Sequence, residues 1–348
     1  VKQKKYMKTN RPHREEDSAA RKAQKASVLA LLRAIFSPEC PATGLAQDTY
    51  LMHDIGELAV DPRPPPPRIM VVTDYSYAMF DTLERKWTDN ASISMAPDSF
   101  LESIFTVNGL VFRAMQSGTD HKIEQIVVDN CDQMTVSWHW DRREKFAGLA
   151  DGRFVSVAGC EGRVCRVGID HATTGQGGWL VPQTDPCGPN TVDAVVASER
   201  AVYVLSDAHF HGDHMPFVAV DIASGAMKDL SPRYQPTGGS AAVIVGEKIW
   251  FLGGARLGVR VRTIVAYDIT HDTWGVCSGE LVRPRCGASA VAIAGNIWIV
   301  GGTMDQGCAG LKFADTIEMF DPVSGKCGEV TGVPEQLSGM CYAAAASH

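Results

Sequence analysis

Between His209 and His214 the chain reads His-Phe-His-Gly-Asp-His, three imidazoles and a carboxylate in six residues. Such donors hold zinc, and zinc with an open coordination position lowers the pKa of bound water enough to supply hydroxide near neutral pH. Hydrolysis is therefore the chemistry this hexapeptide would perform, given a frame that aims its donors at one point. A second group of side chains is cationic. Arg256, Arg260 and Arg262 crowd into seven residues, Arg233, Arg283 and Arg285 lie on either side, and Asp305 and Lys312 follow. Guanidinium groups grip carboxylates through charge-assisted, often bidentate hydrogen bonds. The chain has no Gly-x-Ser-x-Gly elbow and no phosphate-binding glycine loop.

The frame around these residues is a repeat. An Asp closes a short apolar run at Asp81, Asp129, Asp170, Asp221, Asp268 and Asp321, at intervals of 48, 41, 51, 47 and 53 residues. A unit of four short strands needs about 40–50 residues. The clearest unit runs from Gly239 through Ile249-Trp250-Phe251-Leu252-Gly253-Gly254 to Tyr267-Asp268 and Trp274. The next runs from Gly287 through Ile297-Trp298-Ile299-Val300-Gly301-Gly302 to Phe320-Asp321, with Cys327 where the Trp would fall. Each reads as a small-residue strand suited to a crowded axis, an apolar second strand ending in a glycine pair, a third strand closed by Asp, and a fourth. The Asp can accept hydrogen bonds from the backbone of the turn that follows it, and Trp87 and Trp274 would fill gaps between neighbouring units. Earlier units keep the register at Ile69–Val72, Leu110–Met115, Phe154–Gly159 and Val202–Asp207 but have mostly lost the glycine pair.

Such units cannot bury themselves singly and stack radially as blades. The first unit lacks an innermost strand, because Ile69 follows a proline run. The segment Gly339–Ala346 copies the innermost-strand pattern of Gly287–Ala294 and has no further strands after it. The expectation is an all-β, six-bladed propeller over 69–348, closed by residues 339–346, which would remove an exposed sheet edge.

This frame decides how His209, Phe210, His211 and His214 are read. Their spacing is similar to the His-x-His-x-Asp-His pattern of metallo-β-lactamase-fold hydrolases, in which the motif follows a strand and opens a helix. Here Phe217-Val218-Ala219-Val220-Asp221 follows almost at once as a third strand, and only His271 and His348 remain downstream. A variable loop between second and third strands is the expected setting, with no metal, no cofactor and no enzyme activity; a hydrolase using His209, His211 and His214 is the last-placed alternative.

No apolar run is long enough for a membrane helix, and the basic N-terminus lacks an apolar signal core. The chain starts with Val rather than Met, from which a longer parent chain is expected. The ten cysteines form no Cys-x-x-Cys, which fits a reducing, cytoplasmic setting. Residues 1–33 carry ten Lys/Arg against three acids, and the remainder holds 23 basic and 37 acidic residues. The basic segment raises nucleic acid as a partner, but without aromatic interleaving a solvated helix face is the expected reading, so neither nucleic acid nor membrane is expected.

Glu15–Phe36 has helical periodicity at Val28, Leu31, Leu32, Ile35 and Phe36, ended by Ser37-Pro38. A second helix is expected over 45–60, then a stiff proline-rich linker over 62–68. Arg14–Ala23 and Leu31–Pro38 resemble the C-terminal helices of a BACK domain, so 1–61 is expected to be a helical BACK-like segment. The glycine pairs at 253–254 and 301–302, with Tyr267-Asp268 and Trp274, resemble kelch repeats. Together the chain resembles the C-terminal part of a BTB–BACK–kelch (kelch-like) protein. The resemblance implies a propeller that captures a protein substrate for a cullin-RING E3 ubiquitin ligase. The cullin-type scaffold would be bound only through upstream BTB and BACK regions that this chain lacks. An actin- or other protein-binding scaffold without a ligase role is the alternative.

On a propeller, loops joining second to third strands and one blade to the next share a face, and in kelch proteins that face takes the substrate. The candidate contacts are therefore Arg256, Arg260 and Arg262, then His209, Phe210 and His214, then Asp305 and Lys312. Arg233, Arg283 and Arg285 lead into innermost strands; Arg285 follows the repeat pattern in part and can equally be structural.

Overall fold

Two compact units, Val1–Pro65 and Pro66–His348, divide the chain. In a computed structural model the second is described over residues 67–73, 76–92, 99–108, 110–117, 120–126, 135–138, 144–160, 163–172, 177–182, 192–206, 214–234, 237–305, 311–334, 337 and 342–346. The BACK-like helices expected over 1–61, and most of the proline linker, lie outside the described residues, as do Asp129 and the segment 207–213.

Six four-stranded antiparallel sheets form the blades of a β-propeller. The first combines Tyr342–Ala346, Arg68–Val72, Ser76–Asp81 and Lys86–Ser92, from axis to rim. The second holds Ser99–Val107, Leu110–Ser117, Asp120–Ile126 and Thr135–Trp138; the third Lys145–Gly148, Arg153–Cys160, Arg163–His171 and Gly177–Val181. The fourth holds Val192–Ala197, Ala201–Ser206, His214–Asp221 and Met227–Tyr234. The fifth holds Ala241–Val245, Lys248–Leu252, Thr263–Asp268 and Thr273–Glu280; the sixth Ser289–Ile293, Asn296–Val300, Thr316–Asp321 and Lys326–Gly332. Each innermost strand touches those of both neighbouring blades, and the sixth touches the first, so the ring is closed. Closure is made by Tyr342–Ala346 pairing antiparallel with Arg68–Val72, Ile69 opposite Ala345 and Val71 opposite Ala343.

Burial explains why second strands read as continuous apolar runs. Side chains alternate across a strand, and in a propeller both faces of a blade are covered. Ile69 and Val71 pack toward the sixth blade with Trp298, Val300 and Ile317, whereas Met70 and Val72 pack toward the second with Leu101, Val111 and Met115. The same holds at the other junctions, so that six apolar clusters serve six blade interfaces. Fully burying one such side chain contributes about 1.5–3 kcal/mol.

Asp81, Asp221, Asp268 and Asp321 do what their position requires. Asp81 Oδ1 accepts from the backbone N–H of Leu83 and Glu84, each at 2.9 Å, and Asp268 Oδ1 from Thr270 and His271 at 3.1 and 3.0 Å. The indoles six residues later bridge blades. Trp87 Nε1 donates to Gly332 O of the sixth blade at 2.9 Å, and Trp274 Nε1 to Ser231 O of the fourth at 2.7 Å. The glycine pair has a steric cause. Gly253 and Gly254 hold φ of 66° and 102°, and a Cβ on Gly253 would stand 2.4 Å from Arg285 O. Only a residue without a side chain lets the fifth blade run this close to the segment entering the sixth.

Candidate interaction face

In the fifth and sixth blades the connection from second to third strand grows into a hairpin of its own. Ala255–Arg256 pairs with Val259–Arg260, and Thr303–Asp305 with Leu311–Phe313. Each is anchored at its root to the segment entering its own blade. Gly238 and Ala255 exchange backbone hydrogen bonds of 3.0 and 2.8 Å, and Cys286 and Thr303 do the same at 3.0 and 2.8 Å. The two hairpins are neighbours, with Arg260 Nη2 lying 3.5 Å from Thr303 Oγ1.

The cationic side chains expected here divide into two sets. Arg256 is exposed, near the tip of the fifth-blade hairpin, and has no ion-pair partner among the described residues. Arg260 Nη1 donates to Gly258 O at 3.0 Å. Arg262 donates from Nε to Leu281 O at 2.7 Å and lies 3.4 Å from Glu280 Oε2. Lys312 pairs with Asp315 at 2.6 Å, and Arg283 reaches Glu329 at 2.6 Å and Asp315 at 3.9 Å. The Lys312 ammonium, and less strongly the Arg283 guanidinium, hold the Asp315 carboxyl below its usual range.

Arg233 and Arg285 belong to the interior: for Arg233 this departs from its expected place among the partner contacts, and for Arg285 it is the structural alternative that the repeat pattern offered. Arg285 is 0 % exposed. Its guanidinium donates to Gly301 O and Thr316 O at 3.1 Å each, to Thr316 Oγ1 at 3.1 Å, and to Glu318 Oε1 at 2.5 Å. Glu318 also accepts the backbone N–H of Val282 and Arg283 at 2.8 and 3.2 Å. It is the residue that sequence reasoning overlooked, although its place on a third strand, three before Asp321, offered a carboxylate on an otherwise apolar element. Arg233 is 2 % exposed and lies over the rings of Phe251 and Trp274, 5.4 and 5.9 Å from their centroids. Its Nη2 donates to Thr237 Oγ1 at 2.5 Å. Burial pulls its pKa down to about 10, with the Asp193 charge opposing, so it stays cationic at neutral pH.

The histidine motif is only partly within view. His214 opens the third strand of the fourth blade, its backbone paired with Tyr234, and no helix begins there. His209, Phe210 and His211 lie outside the described residues. Asp305 ends a strand opposite Leu311, and its side chain is outside them too. Among the described residues no cluster of three or more His, Cys, Asp or Glu could hold a metal ion.

Three apolar residues that the sequence reading did not single out share the face with the cations. Leu257 at the tip is 96 % exposed, Val259 beside it 61 % and Phe313 on the second hairpin 43 %. The signal was present as a Leu-Gly dipeptide flanked by arginines after the glycine pair. Along the axis, the innermost strands line a cavity of about 400 Å³, bordered by Lys145, Asp193, Ser240, Ala242, Ala290 and Ala292. Guanidinium groups do not trade protons near neutral pH, so what the arginines of this face offer is charge-assisted hydrogen bonding.

The fold and face define a β-propeller of the protein-interaction kind. Residues 284–331, covering the sixth blade, match the family described as Kelch motif. Over 91 residues, 26 % of this chain and 23 % of the relative, the sequence is 32 % identical to a putative F-box/kelch-repeat protein of Arabidopsis thaliana. Over 158 residues, 44 % of this chain and 25 % of the relative, it is 23 % identical to Kelch-like protein 25 of Xenopus tropicalis. The matches span about a quarter of each relative's length. The chain is thus similar to kelch-repeat proteins of two architectures and carries a kelch motif in a six-bladed ring. No helix among the described residues is long and apolar enough to cross a membrane.

Proposed function

We propose that this propeller captures a protein partner on the face bearing the fifth- and sixth-blade hairpins. In its full-length context it would act as the substrate-recruiting half of a cullin-RING ubiquitin-ligase adaptor. One observation carries the first part: two adjacent hairpins, rooted on a rigid ring, present exposed apolar and cationic side chains together. Loops on a rigid scaffold are where binding residues concentrate. The ligase role draws on the likeness of residues 14–38 to BACK helices and on relatives named F-box/kelch-repeat and kelch-like. Contact with the cullin would be made by BTB and early BACK regions of the parent protein, and the propeller would perform no bond-making step. The His209–His214 segment would serve as one more loop of the face.

Affinity purification of the full-length tagged protein, with the bound proteins identified by mass spectrometry, tests this reading. A stoichiometric partner recovered together with a cullin is the expected result. A partner recovered without any cullin, together with co-sedimentation on actin filaments, would replace the adaptor role with a scaffold. Stoichiometric zinc lost on His211→Ala would reopen the hydrolase alternative.

A further inference from the structure

The tip of the fifth-blade hairpin breaks a local rule and gains nothing for it within the chain. Arg256 and Val259 form the last pair, so Leu257 and Gly258 are the two turn residues, with φ of 50° and 81°. Positive φ at both positions is the type I′ pattern, which strongly favours Asn, Asp or Gly at the first of them. A leucine there sets its Cβ against its own backbone. Among the described residues the other non-glycine positions with positive φ are Arg85, Asn108, Asp272 and Ala294, none a large apolar residue. Asp272 is compensated by the bonds its carboxylate accepts from Ser231 N and Tyr267 Oη, both at 2.8 Å. Leu257 has no such compensation, being 96 % exposed. Local strain without a folding benefit points to a use outside the fold.

The surroundings say what that use is. Val259 beside Leu257 and Phe313 on the neighbouring hairpin are exposed apolar residues too, and Arg256, Arg260, Arg262 and Lys312 lie on or next to the same two hairpins. Among the described side chains Glu280 pairs with Arg262 and Asp315 with Lys312 and Arg283, which leaves Arg256 at the tip as a cation without an ion-pair partner. This basic patch stands out in a chain whose residues beyond 33 hold 37 acidic against 23 basic side chains. We infer that Leu257 is the apolar anchor of a docking site for an acidic segment of a partner protein. A large apolar side chain of that segment would meet Leu257, with Val259 beside it, and a carboxylate would meet Arg256. The inference builds on the hairpin face being the binding face.

Short random peptides displayed in a library and selected on the full chain test it, with affinities then measured by fluorescence anisotropy. The expected winners carry Asp or Glu within a few residues of a Leu, Ile, Phe or Trp. Leu257→Asn should weaken them about tenfold or more, as truncating a central anchor does, and Arg256→Glu should do the same. The melting temperature of Leu257→Asn should equal or exceed the parent's, since Asn suits the turn, which separates lost binding from lost folding. Winners without acidic residues, or affinities unchanged by both substitutions, would overturn the site. Binding that survives Leu257→Asn but is lost on Ala292→Arg in the axial cavity would leave the propeller a binding module and sink only the hairpin site. A dimer of the chain that Leu257→Asn converts to monomer would make the occupant a second copy and overturn the acidic-segment assignment. No winning peptide and no partner in the affinity purification would end both readings.

Discussion

Arg285 and Glu318 share a site closed to water, each side chain 0 % exposed. Burying two charges is costly, and the pair is supported by further hydrogen bonds. Arg285 donates to Gly301 O, Thr316 O and Thr316 Oγ1, and Glu318 accepts the backbone N–H of Val282 and Arg283 from the loop entering the sixth blade. Removing one partner leaves the other buried and uncompensated. Glu318→Gln is therefore expected to lower stability by about 3–5 kcal/mol, measured by urea unfolding. The double variant Arg285→Met with Glu318→Leu should lose less than the two single losses added together. Asp170 behaves differently from the turn-capping Asp residues. Asp221, Asp268 and Asp321 sit below the ordinary carboxyl range because they accept hydrogen bonds, whereas burial pushes Asp170 up from 3.8 to about 6. Between those values the folded chain holds a proton that the unfolded chain has released, so this group's contribution to stability falls as pH rises from about 4 to 6. Asp170→Asn should remove that slope. It should match the parent near pH 4 and exceed it by about 1–2 kcal/mol at pH 7.5, a figure reduced for the residue's partial exposure.

Strands and turns show how blades are joined. Trp87 closes the gap between first and sixth blades, its ring 5.2 Å from Phe80 and its N–H on Gly332 O at 2.9 Å. Trp87→Phe keeps a ring but forfeits the bond, and thermal unfolding should report a loss of about 1 kcal/mol; Trp87→Ala should lose more. Second strands were legible in the sequence because both their faces are buried. Third strands were legible through their Asp. Fourth strands were expected in each unit, but beyond Trp87 and Trp274 little in the sequence marked their course. Thr273–Glu280 lies at the rim and alternates between exposed and half-buried residues, and Val276 is 78 % exposed, so no apolar period marks it. The hairpins at Ala255–Arg260 and Thr303–Phe313 escaped notice because leucine is not the residue that announces a type I′ turn. Arginine type and spacing pointed to the segment that forms the fifth-blade hairpin and the loop entering the sixth blade. They could not separate Arg256 from Arg285, since burial depends on a carboxylate brought in from a strand 33 residues later.

Ring closure depends on one short strand. Tyr342–Ala346 supplies the innermost position of a blade whose other three strands lie between Arg68 and Ser92. A chain ended before Tyr342 would leave Arg68–Val72 with an unpaired edge, the kind that recruits other chains. Such a truncation should accelerate amide exchange at Ile69–Val72 and bring concentration-dependent aggregation in light scattering, while exchange in the fifth blade changes little. The repeat made this arrangement visible in the sequence, because an innermost pattern near residue 340 answered a missing one before Ile69. The same clasp has a consequence for biosynthesis. A ribosome releases residues 68–92 long before it makes 342–346, so the first blade must wait, one strand short, through the synthesis of the other five. Contacts between such distant parts of a chain form slowly. Over that interval the nascent protein is a horseshoe with an open sheet edge, the form in which chaperones and proteases would meet it.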